Sequence, residues 1–91
     1  MCNIHKVEIK IIPLAAKKIK LRKITRDMLY ETIKQPDQTV DGYGGRIVKQ
    51  KIYTIKNKKK LLRIVCEAKV KETIVVTAYL TSQIEKYWRQ K

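Results

Sequence analysis

Ninety-one residues carry 22 Lys and Arg against 8 Asp and Glu, a formal charge of +14. That length admits one domain, residues 1–91, with a modest core, and an apolar fraction of 44% excludes a wholly disordered chain. Self-repulsion from so large an excess calls for a polyanionic or acidic partner. Nucleic acid is the first candidate, because phosphate rewards basic surfaces whatever their sequence; an acidic protein is the second, and the two are compatible.

In chain order, Lys6 to Ile12 alternate weakly and predict a short strand or an extended lead-in. Pro13 suits the first position of a helix, where its missing amide proton costs nothing. Leu14, Ala15, Ile19 and Leu21 then supply an apolar stripe, with Lys17, Lys18, Lys20 and Arg22 mostly on the other side. Thr25 is the expected N-cap of a second helix, with Asp27 in its positive first turn and Pro36 as its stop. Gln38 to Asp41 reads as a short strand, and Gly42-Tyr43-Gly44-Gly45 as a hairpin loop able to take positive backbone dihedrals. Arg46 to Ile55, Leu61 to Ala68 and Thr73 to Leu80 predict three further strands, with Lys56 to Lys60 a basic turn. At Thr81-Ser82 the period changes. Ser82 and Glu85 have capping-box spacing, and Ile84, Tyr87 and Trp88 make one face of a short closing helix, as anchors rather than nucleotide-stacking residues. The expected fold is α+β: N-terminal helices on a small antiparallel meander, closed by a C-terminal helix.

Cys2 and Cys66 are the only cysteines and His5 the only histidine, so no metal site and no cofactor are expected. No apolar run approaches the roughly 20 residues that span a bilayer, and no leader pattern is present. These features predict a cytoplasmic protein with no membrane partner.

Alternation sorts the strand residues by face. Leu62, Ile64 and Cys66 fall on one side of their strand; Ile74, Val76, Ala78 and Leu80 fall on one side of the next. These apolar sets are expected to face the helices. On the preceding strand either Lys49, Lys51 and Tyr53 or Arg46, Gln50 and Thr54 share the outer face. Val48 and Ile52 make the better inward pair, which puts Lys49 and Lys51 outside. Arg63, Glu67 and Tyr79 would join them there. Cations of that kind neutralise phosphate and stabilise a pentacoordinate transition state, and a tyrosine can stack on an unpaired base or position a proton. Arg63, Glu67 and Tyr79 are therefore the candidate catalytic residues, with Glu67 as general base. Lys49, Lys51, Arg46, Lys18 and Arg22 are the expected nucleic-acid-binding cations. The plainer alternative is a solvated ion pair between Arg63 and Glu67, worth about 0–1 kcal/mol.

The C-terminal run V-V-T-A-Y-L-T-S-x-I-x-K-Y-W, with Ile33-Lys34-Gln35-Pro36-Asp37, Gly42-Tyr43-Gly44-Gly45-Arg46 and Leu61-Leu62-Arg63 upstream, resembles a family of small prokaryotic proteins, domain of unknown function 4258. The resemblance covers about two thirds of the chain. It implies a RelE-like toxin fold and a small acidic antitoxin as partner. It also implies metal-independent cleavage of messenger RNA, free or on the ribosome. The family's helical motif H-A-x-x-R-M-x-x-R-G-I-S is kept here only at Arg22; Leu14 stands at the histidine position and Lys18 at the first arginine. Two alternatives accompany the ribonuclease expectation: a non-catalytic basic module that binds RNA or the ribosome, and a subunit that binds an acidic protein.

Overall fold

The structure is a computed structural model and describes residues 8–88. Its elements run β1 (Glu8–Ile11), α1 (Pro13–Leu21), α2 (Arg26–Lys34), β2 (Gln38–Asp41), β3 (Ile47–Ile55), β4 (Lys58–Ala68), β5 (Glu72–Thr81) and α3 (Ile84–Tyr87). The five strands form one sheet in the order β1-β5-β4-β3-β2. This is the expected α+β arrangement, with two corrections to the sheet.

The sheet is mixed rather than purely antiparallel, because β1 pairs parallel with β5. A parallel pair needs a long crossover, and here the whole intervening domain supplies it. The turn between β3 and β4 is also shorter than expected. Only Lys56 (φ 52°) and Asn57 (φ 67°) leave the ladder, while Lys58 to Lys60 pair with Tyr53 to Ile55. Two left-handed central residues match the twist of a tight hairpin, and Asn tolerates that conformation.

The first two helices begin where the sequence places them. Pro13 opens α1, and the Thr25 hydroxyl accepts from the Met28 amide at 3.1 Å. Ala15, Ile19, Ile24, Leu29 and Ile33 pack on Leu62, Ile64, Cys66, Val75 and Ala78. Tyr53 ties α2 to the sheet by donating to the Glu31 carboxylate at 2.6 Å. Burial, and then that bond, push the Tyr53 phenol above its ordinary pKa.

Two expectations about faces fail. Val65 pairs with Thr77 but Cys66 with Val75, so Val76 is an extra residue in β5. This bulge flips the alternation: Thr73 and Val75 turn inward with Cys66, and Ile74 stands opposite Glu67. The face of β3 is also reversed. Lys49 pairs with Ile64 and Lys51 with Leu62, which puts both lysines on the helix side. Val48, Gln50 and Ile52 share the other side with Val65, Arg63 and Leu61. Both sheet faces are covered, so apolar residues on β3 do not mark the helix side; Leu61 is 0% and Val48 4% exposed on the far face. Lys51 is accommodated by its reach. Its ammonium donates to the Gln35 carbonyl at the end of α2 (3.1 Å) and pairs with Asp37 at 3.6 Å, where the helix dipole favours a cation.

Ser82 does not cap α3. The helix starts after Gln83, whose amide donates to the Thr81 hydroxyl at 3.0 Å, and no side chain caps it. Trp88 is half-buried and its amide closes the turn on the Ile84 carbonyl at 2.8 Å.

Thr25→Ala is expected to cost about 1 kcal/mol, whereas Leu62→Ala, at a side chain 0% exposed, should cost about 2–5 kcal/mol. Urea denaturation of the two variants measures the contrast.

Candidate nucleic-acid interface

One cross-strand row organises the face opposite α1 and α2. Gln38 pairs with Gln50, Gln50 with Arg63, and Arg63 with Tyr79, on four adjacent strands. Side chains in one row of a sheet stand close enough to interact, and these form a chain of hydrogen bonds. The Gln50 amide nitrogen donates to Gln38 Oε1 at 2.8 Å and to the Tyr87 carbonyl at 3.2 Å. Arg63 Nε donates to Gln50 Oε1 at 2.9 Å, and Arg63 Nη1 to the Tyr79 hydroxyl at 2.6 Å. Gln50 is wholly buried, so its amide needs every one of these partners.

α3 closes over the row through Tyr87. The Arg63 guanidinium lies 4.1 Å from the Tyr87 ring centroid and 5.8 Å from that of Tyr79, while the two rings meet edge-on at 6.3 Å. Cation–π attraction and two hydrogen bonds thus fix the guanidinium. Those bonds use two of its five N–H donors. The same residue also lines the neighbouring groove.

Beside this row lies an open groove of about 500 Å³, lined by Asp41, Gly42, Tyr43, Arg46, Val48, Arg63, Val65 and Tyr87. Its wall is the β2–β3 hairpin loop, one turn of 3₁₀ helix at Tyr43–Gly45. Gly44 (φ 69°) and Gly45 (φ 81°) take the left-handed conformation that lets so tight a loop close. Gly42 is needed for a different reason: a Cβ there would sit 3.1 Å from the Arg46 carbonyl oxygen and 3.2 Å from Val48 Cγ2. The loop holds Tyr43 almost fully in solvent, 96% exposed.

The expected site residues separate. Arg63 and Tyr79 are joined directly. Glu67 does not converge with them, because it lies four residues from Arg63 along β4, roughly 13 Å at the rise of a strand. It instead accepts from Arg46 Nε at 3.2 Å. Arg46 lines the same groove as Arg63. Lys49 and Lys51 belong to the opposite face, so they do not stand beside Arg63. Lys18 is on α1 and Arg22 caps its C-terminal end, where its side chain donates to the Ala78 carbonyl at 2.8 Å. Gln38, Gln50 and Tyr43 were not expected in the site. The signal available for Tyr43 was an aromatic flanked by glycines in a loop, where packing gives no reason for one.

Among the described residues no group of His, Cys, Asp or Glu could hold a metal ion, and no helix is long and apolar enough to cross a membrane. Cys66 is a free, buried thiol whose pKa is pushed up to about 11 by burial, against a smaller opposing pull from the Lys49 charge. Cys2 lies outside the described residues. Comparison with protein-family models, with curated proteins and with solved structures finds no significant match to this chain.

Two outcomes are expected. Gln50→Ala strands the Arg63 Nε and the Tyr87 carbonyl together and should lower stability by about 2–4 kcal/mol in chemical denaturation. Cys66, as a protonated core thiol, should stay unalkylated by iodoacetamide at pH 8 in the native protein and react on unfolding, which mass spectrometry resolves.

Proposed function

We propose that this chain is a cytoplasmic RNA-binding protein that takes single-stranded RNA along the groove between the β2–β3 loop and α3. The observation that carries the reading is the immobilised Arg63, fixed by Gln50, Tyr79 and Tyr87 at the edge of a groove that also holds Arg46 and Tyr43. Fixed guanidinium forks suit phosphate, and aromatic side chains beside them suit unpaired bases. The +14 charge supplies long-range attraction.

Cleavage is the second reading, that of a RelE-like toxin acting on messenger RNA without a metal and held in check by a small acidic antitoxin. It is favoured by the 2.6 Å bond from Arg63 to Tyr79. A guanidinium at that point would stabilise phosphorane charge, and the tyrosine hydroxyl, which accepts from Arg63, keeps its own proton to donate to a leaving oxygen. Binding ranks first because the expected base, Glu67, is engaged by Arg46 away from that pair.

If about five to seven phosphates are neutralised, the logarithmic salt slope for a single-stranded oligonucleotide should be roughly −3.5 to −5. Filter binding across a salt series measures it; an affinity independent of salt would count against RNA and for a protein partner. Arg63→Ala should weaken binding about 10-fold or more. Under the second reading, expression of the wild type arrests growth and Arg63→Ala relieves the arrest; since that variant also leaves Gln50 Oε1 unpaired, circular dichroism of the purified variant checks that it still folds.

A further inference from the structure

The groove has a polarity that RNA binding alone does not require. Its floor is apolar, made by Val48 and Val65, and its two sides are aromatic, Tyr43 on the loop and Tyr87 on α3. Its volume of about 500 Å³ is that of a small-ligand site rather than a helix-wide cleft. Tyr43 is 96% exposed on a loop closed by two left-handed glycines, so its ring is held in solvent with no core to join. An exposed aromatic kept in water beside fixed cations has a reason to be there if a second ring arrives to cover it.

Arg46 carries the other half of the pattern. Its guanidinium pairs with Glu67, at 3.2 Å through Nε, and both side chains are about two-fifths exposed. A carboxylate on a guanidinium occupies the position that a phosphate oxygen would take. An ion pair this exposed is weak, so a phosphate can displace it at little cost.

We propose that the groove seats one unpaired nucleotide, with its base over Val48 and Val65 between Tyr43 and Tyr87 and its phosphate on Arg46, from which it displaces Glu67. The proposal rests on the RNA-binding reading and goes further in naming the unit recognised and the residues that recognise it. Glu67 is then a competitor for the anion site, the opposite of a residue that RNA needs. Arg63, held from three sides, stays in place while Arg46 changes partner.

The test compares wild type, Tyr43→Ala, Tyr43→Phe and Glu67→Gln, each binding a single-stranded RNA octamer and inorganic polyphosphate of equal charge. Wild type should prefer the RNA, because only the RNA has bases to stack. Tyr43→Ala should lose about 5- to 100-fold for RNA, the range for one stacked base, and nothing for polyphosphate; Tyr43→Phe should keep most of the affinity. Glu67→Gln should tighten RNA binding about two- to fivefold, the scale of an exposed ion pair. Asp27→Asn, which removes the same charge from α2, should leave it unchanged. Equal affinity for polyphosphate, or an unaffected Tyr43→Ala, overturns the nucleotide seat while RNA binding itself stands. A Glu67→Gln variant that binds no better removes Glu67 as competitor. Failure of the wild type to bind either polyanion at low salt overturns the seat and the RNA-binding reading together.

Discussion

The buried amide of Gln50 holds this structure together where its chemistry is concentrated. A fully buried primary amide is costly unless its donors and acceptor are used, and here one side chain takes bonds to three other elements: Gln38 on β2, Arg63 on β4 and the Tyr87 backbone at the end of α3. The cost of leaving any of them unpaired couples the edge strand, the sheet centre and the closing helix. It also orients Arg63, since a guanidinium bonded through Nε to a fixed oxygen has lost most of its freedom before any ligand arrives. Pre-organisation of that kind lowers what binding must spend on ordering.

The same constraint explains why the far face of the sheet is apolar around a polar centre. α3 is only four residues long, and no side chain caps it. A helix of one turn has no stability of its own, so contacts below it must hold it: the Gln50 bond to the Tyr87 carbonyl and the Arg63–Tyr87 stack. The sheet is thus covered on both sides, and its polar row survives between two apolar zones because every member is bonded.

Local chemistry was legible in the sequence; the pairing between strands was not. Pro13 and Thr25 marked their helices because each acts through its own backbone, and Gln38 to Asp41 was readable as a strand from its turn-bounded position. The face of β3 is not marked by its apolar residues, since both sides of the sheet are covered and Lys49 and Lys51 have stems long enough to cross an apolar layer. The bulge at Val76 was invisible for a different reason. It depends on which residue of β4 meets which residue of β5, and an unbroken run of β-formers from Thr73 to Thr77 carries no mark of the slip. Arg63 and Tyr79 were found because each lies four or fewer residues from a well-placed core position. Gln50 was weighed as part of an alternative face and set aside, although Arg46, Gln50 and Thr54 do share that face.

Correcting the face of β3 changes what the charge means. Lys51 is tied to the end of α2 and Asp37, Arg22 to the Ala78 carbonyl, and Lys10 to Glu72 at 3.1 Å. Cations used in this way brace the fold, and their attraction for a distant polyanion is partly cancelled by their partners. The remainder, spread over helices and turns, gives a field that draws a polyanion toward the molecule without choosing where it lands. Choice has to come from groups with fixed direction. In this chain those are the Arg63 fork and the rings of Tyr79 and Tyr87, held by the buried row. A +14 charge has no direction of its own; the register of four strands is what gives one place on this surface a fixed arrangement of donors and rings.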